Sequence, residues 1–395
     1  MSDGARGGSE MAVRRKVLIA GAGIGGLTAA IALRRAGLEV QVLERARELQ
    51  PIGAGIALAA NAILGLRRLG VADRIAEAGQ KLQTLAIRDA SGSEIAASDF
   101  APLEEALGAP MLAFHRAELH DVLLASLGPG VVTLGAAVMS FDQDDEGVRI
   151  LLDDGTSIDG DALIGADGLH SNVRRRLVGG TRLRYSGQTS WRGVTPSGRF
   201  LPAGWSSESW GPRQRFGLVS LKNDRVYWFA VKEMPPGGED ERGRVREFLR
   251  SAFAGWHDPI RAVLEATPDT AIVRTDIQDR DPLPRWTRGR VTLLGDAAHP
   301  MTPNTGQGAC QAIIDAVVMG EEIARGGDLA QAFQRYEARR LSRTRRVVLQ
   351  SRRMGAMAHW RNPVARLARN AALKAFRRVM TSQLKRFMAA DGMAR

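Results

Sequence analysis

The chain has 395 residues, of which 44% are hydrophobic and 25% charged, so it is long enough for two domains with separate cores. Its one cysteine, Cys310, excludes an internal disulfide framework and a cysteine-built metal site, and fits a reducing compartment. No segment approaches the roughly 18 uninterrupted apolar residues that a membrane-spanning helix needs. We therefore expect a cytoplasmic, globular protein.

The formal net charge of +12 is concentrated at one end of the chain. Residues 335–395 contain 17 Lys and Arg but only Glu337 and Asp391 as acids, a net +15 that leaves −3 for the rest. A strongly basic chain can indicate nucleic-acid binding. Because the charge is confined to one end, it describes a C-terminal element, and we predict no nucleic-acid partner.

The first residues of the chain, 1–15, are rich in glycine and charge and lack the apolar core of a signal peptide, which predicts a disordered leader. Residues 17–20, VLIA, then predict a short buried strand. Residues 27–35 predict a helix, and residues 39–43 predict a second strand. This strand–turn–helix–strand order is typical of a nucleotide-binding unit.

The turn of this unit has glycines in GxGxxG spacing, at Gly21, Gly23 and Gly26. Gly21 allows the tight turn, Gly23 allows the backbone to approach a pyrophosphate, and Gly26 allows helix and strand to pack closely. Glu44 follows the second strand, where an acidic residue can bind the ribose hydroxyls of an adenosine. A GxGxxG motif alone is weak evidence, but the strand, helix and acidic residue together predict a dinucleotide site.

Two later buried strands also end in aspartate. Residues 161–168, DALIGADG, carry Asp167, and residues 290–296, RVTLLGD, carry Asp296 ahead of the loop AAHPMTPNTGQGA. Between them, the alternating, tryptophan-rich residues 185–231 predict an antiparallel sheet in a second domain. The nucleotide domain is therefore expected to be discontinuous, with this sheet inserted.

These three motifs, in this order, resemble those of class A flavoprotein monooxygenases, the p-hydroxybenzoate hydroxylase-like family. The likeness is to the branch that contains salicylate hydroxylase, urate hydroxylase and zeaxanthin epoxidase, and it covers residues 16 to 325. It implies an α/β fold: a discontinuous Rossmann-like FAD-binding domain, an inserted mixed or antiparallel substrate sheet, and C-terminal helices. The implied divisions are a leader (1–15), FAD-binding parts (16–80, 110–184, 285–334), substrate-domain parts (81–109, 185–284) and basic C-terminal helices (335–395).

The resemblance also implies an FAD site and its residues. Asp296 would bind the ribityl chain or pyrophosphate, and the loop before the next helix would lie beside the isoalloxazine. The implied FAD-binding residues are Gly21, Gly23, Gly26, Glu44, Arg45, Arg116, Asp167, Asp296, Pro303, Gly306, Gln307, Gly308 and Ala309. Two of these have structural alternatives, because Asp296 could cap the next segment and Asp167 could belong to an ordinary Asp-Gly turn.

Other reactive residues of these motifs have simpler explanations. His299 could be a general base, but in this motif it more often supports the loop. Cys310, at a predicted helix start, could have a lowered pKa, although a small core residue is the better interpretation. We predict no metal site, because no cluster of His, Cys and carboxylates has ligand spacing.

Arg215 and Tyr227 resemble the arginine and tyrosine that the urate hydroxylase branch places at the substrate. They are twelve residues apart, on strands expected to be adjacent, and are our candidate catalytic residues. A tyrosine of ordinary pKa near 10 is a poor base, and a neighbouring arginine would lower that pKa. A tyrosine that only fills the domain boundary is the alternative.

The implied activity is monooxygenation. NAD(P)H, a transient visitor, would reduce FAD, O₂ would add to the reduced ring, and the flavin hydroperoxide would hydroxylate or epoxidise an aromatic, lipophilic or other electron-rich small molecule. One alternative is a flavin oxidoreductase that inserts no oxygen, such as a double-bond reductase. The other is a non-catalytic protein that binds membrane or nucleic acid through its basic end. A monomer and a homodimer are both compatible with the sequence.

The basic end predicts an amphipathic helix between residues 361 and 388. Its apolar stripe recurs at steps of three and four residues and comprises Leu373, Phe376, Met380, Leu384 and Phe387. Such a helix either docks on the enzyme or lies on an anionic membrane surface, which would give weak peripheral contact with the inner membrane. Docking is favoured, because the family often ends in helices that cover the domains.

Overall fold

A computed structural model describes residues 15–49, 54–241, 243–375 and 377–393. The predicted leader lies outside these ranges except for Arg15. The strands are β1 (Lys16–Ala20), β2 (Glu39–Glu44), β3 (Gly55–Leu58), β4 (Gln80–Leu82), β5 (Thr84–Asp89), β6 (Glu94–Asp99), β7 (Met111–His115), β8 (Val132–Leu134), β9 (Val138–Gln143), β10 (Val148–Leu152), β11 (Ser157–Gly160), β12 (Ala162–Gly165), β13 (Leu183–Val194), β14 (Trp205–Gly211), β15 (Gln214–Ser220), β16 (Val226–Glu233), β17 (Val273–Arg280), β18 (Thr287–Arg288) and β19 (Val291–Leu293).

The helices are α1 (Ile24–Arg35), α2 (Ala60–Arg68), α3 (Ala72–Ala78), α4 (Ala101–Leu107), α5 (Arg116–Leu127), α6 (Asn172–Val178), α7 (Val245–Ala252), α8 (Ile260–Ala266), α9 (Gly308–Ala324), α10 (Leu329–Ala358), α11 (Pro363–Ala375) and α12 (Arg377–Ala389). Short 3₁₀ turns cover 269–271, 295–297 and 303–305. Within the described part of the chain, no helix is both long and apolar enough to cross a bilayer.

The main sheet has six strands in the order β18-β19-β12-β1-β2-β8. Strands β19, β12, β1, β2 and β8 run parallel, so the carboxyl ends of β1, β2, β12 and β19 meet along one edge. All five residues of β1 except Lys16 are buried, as expected for a strand covered on both faces. This is the predicted α/β nucleotide-binding sheet, and its carboxyl edge brings the three sequence motifs together.

A second sheet has seven strands in the order β17-β13-β16-β15-β14-β5-β6. Its strands are antiparallel except for the parallel pair β14–β5, so the predicted mixed character is confirmed. Strands β5 and β6 come from the 81–109 segment, and the other five from residues 183–280. The domain boundaries themselves stay predictions.

Alternation along the strands gives the seven-stranded sheet two different faces. The outer face carries Trp191, Phe216 and Trp228, which are buried against residues of α7 and α8 such as Leu249 and Val263. The inner face, defined here by Arg192, Arg215, Tyr227 and Phe229, points the opposite way because these residues have the other parity in the strand register. Tyr227 packs against the main core, which places the inner face toward the nucleotide-binding half.

Several elements were missed or merged by sequence patterns. Strand β9, which runs into the acidic segment 142–146 and pairs with β10 in a hairpin, was not identified from the sequence. Basic C-terminal helices were predicted over residues 335–395, but the extent of the 30-residue helix α10 was not, because its buried face includes Arg340, Arg343 and Thr344 among the apolar residues. Periodicity of apolar residues alone cannot detect a helix whose buried face is partly charged.

The predicted single C-terminal helix consists of α11 and α12 in the structure. Leu373 packs against the cluster around Trp210, and Leu384 and Phe387 pack against the main core. These contacts confirm docking for those three members of the stripe. Phe376 and the side chain of Met380 lie outside what the structure describes.

Candidate functional site

The glycine turn after β1 has the geometry that a nucleotide requires. Gly21 has φ +102°, and a Cβ on it would lie 2.5 Å from the carbonyl oxygen of Ala166. A Cβ on Gly26 would lie 1.9 Å from the carbonyl oxygen of Gly21, so only glycine allows α1 to begin this close to the strand. A Cβ on Gly23 would meet nothing within 4 Å, which leaves open space over the start of α1. An anion can therefore reach the free N–H groups there.

Glu44, at the end of β2, borders the same turn. Its two carboxylate oxygens accept hydrogen bonds from the backbone N–H of Ala22 at 2.8 Å and of Ala46 at 2.9 Å. The side chain is half-buried, and each oxygen keeps a lone pair for a further donor such as a ribose hydroxyl. Arg45 follows it and is exposed.

Asp296 lies in the 3₁₀ turn directly after β19. Its side chain is accessible to solvent, yet the surrounding protein raises the pKa of its carboxyl by desolvation, against the opposing charges of His299 and Arg116. Arg116 is exposed at the first position of α5, and its charge is near enough to Asp296 to lower the pKa of that carboxyl.

The carboxylate of Asp167, after β12, has one oxygen with hydrogen-bond partners and one without. Its Oδ2 accepts hydrogen bonds from the backbone N–H of Asn172 at 2.8 Å and Val173 at 3.2 Å, so it caps the start of α6. Its Oδ1 is buried without a partner among the described residues, and burial raises the pKa of the carboxyl. The Asp-Gly turn is thus a cap with one carboxylate oxygen left unpaired.

Arg174 of α6 follows the Asp167 motif in the sequence, which assigned it no role, and it links the two aspartate motifs in the structure. Its Nη1 donates to the carbonyl oxygens of Ala297 at 2.9 Å and Ala298 at 3.1 Å, which fixes the turn that carries Asp296. Burial, with the nearby charge of Arg280, lowers its pKa to about 10. The sequence signal was the run of three arginines at 174–176, of which only the first points inward.

The predicted flavin loop leads directly into α9. Pro303 and Gly306 are exposed, Gly306 has φ +62°, and Gly308 and Ala309 form the first turn of the helix. The free N–H groups and the positive dipole end of a 17-residue helix therefore directly follow the exposed Pro303 and Gly306 in the chain. This arrangement can stabilise negative charge on a cofactor ring.

The His299 side chain lies in the protein interior beneath this loop and is almost inaccessible to solvent. Its Nε2 lies 2.5 Å from Asp315 Oδ2, and both side chains are almost completely buried. Arg340 of α10 donates from Nε to the other oxygen of Asp315 at 2.7 Å. Desolvation would raise the pKa of Asp315, but the charges of His299 and Arg340 outweigh it and lower the pKa. The predicted supporting role of His299 fits this geometry.

Gln307 is tied to the C-terminal end of the chain. Its Oε1 accepts hydrogen bonds from Asn61 Nδ2 and Gln311 Nε2, both at 3.1 Å. Asn61 Nδ2 also donates to Asp391 Oδ2 at 2.8 Å, and Arg343 donates to both oxygens of Asp391. The basic end of the chain therefore supplies a buried ion pair two hydrogen bonds away from the loop.

Cys310 is a core residue, as expected. The thiol is completely buried and accepts a hydrogen bond from the backbone N–H of Ala59. Burial raises its pKa to about 12, so it stays a thiol at neutral pH.

Tyr227 and Arg215 lie on adjacent strands, β16 and β15, as predicted. Tyr227 is opposite Val219, however, and Arg215 is opposite Val231, so the two residues are four positions apart along the ladder. Arg215 donates to Glu208 at 2.9 Å and to Asn304 Oδ1 at 2.6 Å, and it therefore joins the sheet to the flavin loop. The two residues are therefore not directly opposite each other, because a twelve-residue separation does not determine the strand register. Their role at the substrate stays a prediction.

The pKa of Tyr227 is raised, whereas the sequence suggested that a neighbouring arginine would lower it. Desolvation raises the pKa of Tyr227, and the arginine that opposes this is Arg192 of β13, not Arg215. The Tyr227 side chain is partly accessible to solvent. Its hydroxyl has no hydrogen-bond partner among the described residues. Gly55 makes room for its ring, since a Cβ there would lie 2.1 Å from Tyr227 Cγ.

Two inner-face neighbours escaped sequence reasoning. Arg192 donates to Thr275 Oγ1 at 2.5 Å, and its Nε is buried without a partner among the described residues. His359, at the end of α10, has Nδ1 3.0 Å from the Gly355 carbonyl oxygen, and burial with the nearby Arg215 lowers its pKa to about 4. Neither belongs to a motif, so only the assembled sheet reveals them.

A family described as an FAD binding domain matches residues 14–351. Aurachin C monooxygenase/isomerase of Stigmatella aurantiaca is 46% identical over 349 residues, 88% of this chain and 91% of that protein. The chain belongs to the class A FAD-dependent monooxygenases. This chain is also 37% identical to FAD-dependent urate hydroxylase of Klebsiella pneumoniae, over 87% of this chain and 90% of that protein. A structure of Klebsiella pneumoniae HpxO complexed with FAD and uric acid is similar with a TM-score of 0.90 and 33% identity, covering 95% of this chain and 97% of that one.

These comparisons confirm the family, the α/β fold class and FAD as the cofactor of this monooxygenase. The open space at Gly23 and the exposed carboxylate of Asp296, at the carboxyl edge of the same sheet, fit a bound dinucleotide. The assignment of each predicted residue to FAD stays a prediction, which substitution can test.

We predict that Asp296→Ala weakens FAD binding by at least about tenfold, about 1.4 kcal/mol, because a charge-assisted hydrogen bond to the cofactor is lost. The measurement is a titration of flavin-free protein with FAD, followed by flavin fluorescence. Asp142→Ala is the matched control, because Asp142 is 83% exposed and pairs only with Arg176 on the surface. If Asp296→Ala binds FAD with wild-type affinity and has a wild-type circular dichroism spectrum, Asp296 does not bind the cofactor.

Proposed function

We propose that this monooxygenase takes electrons from NAD(P)H and inserts one atom of O₂ into a small aromatic substrate held between the flavin loop and the inner face of the seven-stranded sheet. Relatives named for 6-hydroxynicotinate and for 3-amino-4-hydroxybenzoate support an aromatic substrate. FAD supplies the redox chemistry and the activated oxygen when it is bound. The chain must orient the ring and exclude water.

The observation that carries the substrate site is the free hydroxyl of Tyr227. Its raised pKa keeps it protonated at neutral pH, so it acts as a hydrogen-bond donor and not as a general base. We infer that it donates to an oxygen or nitrogen on the substrate ring and so fixes which carbon faces the cofactor. The Phe229 ring, with its centroid 6.0 Å away, adds apolar surface beside the hydroxyl.

Arg215 contributes in a different way. It is 3% exposed, its charge is matched by Glu208, and its second nitrogen holds Asn304 next to Pro303. We infer that Arg215 positions the flavin loop and the sheet relative to each other. A carboxylate on the substrate would have to compete with Glu208 for this arginine, so we infer a preference for neutral aromatic rings.

The reaction type can be tested with ¹⁸O₂. Neutral and carboxylated hydroxyaromatic compounds of matched ring size are incubated with the holoenzyme and NADH or NADPH, and products are analysed by mass spectrometry. We expect substrate-dependent NAD(P)H oxidation and one ¹⁸O atom per product, with larger kcat/KM for the neutral member of each pair. Reduced substrate without label would instead support an oxidoreductase that inserts no oxygen, which the names of the relatives do not favour.

We predict that Tyr227→Phe retains FAD but loses about two- to tenfold in coupled product formation, since one neutral hydrogen bond contributes about 0.5–1.5 kcal/mol. The reducing equivalents should appear as hydrogen peroxide, because a poorly oriented ring does not capture the oxygen. Tyr185→Phe is the matched control on the same sheet, because its hydroxyl donates to the Met234 carbonyl. If both variants form as much product per NAD(P)H oxidised as the wild type, Tyr227 contributes only to packing.

A further inference from the structure

Among the described residues, exposed large apolar side chains are few, and three of them are close together in sequence. The seven are Leu134, Met139, Leu151, Phe248, Trp360, Val364 and Leu367. Val364 and Leu367 are each 73% exposed, and Trp360, which precedes the helix, is 42% exposed. Positions 364 and 367 are one helical turn apart on α11, so these two side chains share a face.

Helix α11 is inverted relative to an ordinary surface helix in one sense: it buries a charged side chain and exposes apolar ones. The residue it buries is Arg369, whose Nη1 donates to the carbonyl oxygens of Met357 at 3.0 Å and Ala358 at 3.1 Å. The Arg369 guanidinium also lies 4.8 Å from the centre of the Trp210 ring. Because the charged side chain is anchored inward, Val364 and Leu367 are held outward. Ala368 and Ala371 extend the exposed apolar strip.

The surroundings of this strip are positively charged. Lys374 is exposed on α11 itself, and Arg353 and Arg361 are exposed on the segment before it, where Arg361 pairs with Glu233 at 2.6 Å. The sequence has no Asp or Glu from residue 338 to residue 390. A second copy of the chain docked on the same face would bring these like charges together. An anionic bilayer satisfies both features, since apolar side chains enter the acyl boundary while Lys and Arg meet the headgroups.

We propose that the face formed by Trp360, Val364 and Leu367, with its flanking basic residues, binds the surface of anionic membranes. This face differs from the predicted stripe of Leu373, Leu384 and Phe387, which packs against the body. The opposite side of α11 packs against the inner face of the seven-stranded sheet, because Arg369 lies over Trp210 and Trp210 is opposite Arg215.

The test is vesicle flotation with the full-length holoenzyme at 50 and 500 mM NaCl. Vesicles contain phosphatidylcholine alone or with 30% phosphatidylserine. We expect binding to the anionic vesicles at low salt and at least a tenfold weaker apparent Kd in Val364→Ser/Leu367→Ser. The matched control is Met139→Ser/Leu151→Ser, which removes two other exposed apolar side chains from strands β9 and β10 and should leave binding unchanged. Flavin content and Tm verify that each variant is folded.

A second pair of variants tests the electrostatic part. Arg353→Gln/Lys374→Gln should weaken binding at 50 mM NaCl by severalfold and reduce its salt dependence. The proposal is overturned if wild-type protein ignores anionic vesicles at low salt, or if both apolar double variants bind alike. It is also overturned if light scattering shows a dimer that only Val364→Ser/Leu367→Ser dissociates, because the face would then join two copies of the chain. None of these outcomes depends on the monooxygenase activity.

Discussion

The geometry of the flavin loop depends on charges that are buried behind it. Arg340 is 2% exposed and completely surrounded by partners that include Asp315 and Gln311. Removing one member of a buried ion pair typically costs 3–5 kcal/mol, because the remaining charge stays desolvated. The loop therefore adopts this shape only when α9, α10 and the C-terminal turn carrying Asp391 are assembled together. The basic end of the chain is in part an internal component of the cofactor domain.

The second constraint is the alternation of side chains in the seven-stranded sheet. Large aromatic residues such as Trp191 and Trp228 fill the outer face under α7 and α8, which leaves the inner face for polar and reactive groups. The ion pair between Arg215 and Glu208, extended to Asn304, then fixes this face against the flavin loop. Tyr227 is left with a protonated, unpartnered hydroxyl where the two halves meet, which suits substrate orientation better than proton abstraction.

The local motifs were readable from the sequence because their physics is local. Gly21, Gly26 and Glu44 lie within one strand–helix–strand unit, and backbone clashes alone determine the glycines. Contacts between distant segments were not readable. Asn61 and Asp391 are 330 residues apart, and nothing in either neighbourhood indicates the other. The sequence suggested Arg215 as the arginine that lowers the pKa of Tyr227, whereas Arg192 has that effect in the structure. This could not be predicted either, since strand register is set by the whole sheet.

The inverted helix α11 shows a further limit of pattern reading. The apolar stripe of the C-terminal segment correctly predicted a docked face, yet the residues most exposed to solvent, Val364 and Leu367, are outside that stripe. A burial pattern follows from hydrophobicity only when no stronger interaction orients the helix. Here the hydrogen bonds of Arg369 to two carbonyl oxygens and its stacking on Trp210 provide that interaction.

The central claim is that the three strand-end motifs form one site for FAD. The most direct measurement is the identity and amount of flavin released by heat from the purified protein, separated by chromatography. The account predicts FAD at close to one molecule per chain, with no FMN, because the adenosine half has binding residues of its own at Glu44 and the glycine turn. FMN in its place, or a colourless protein that added FAD cannot reconstitute, would contradict it.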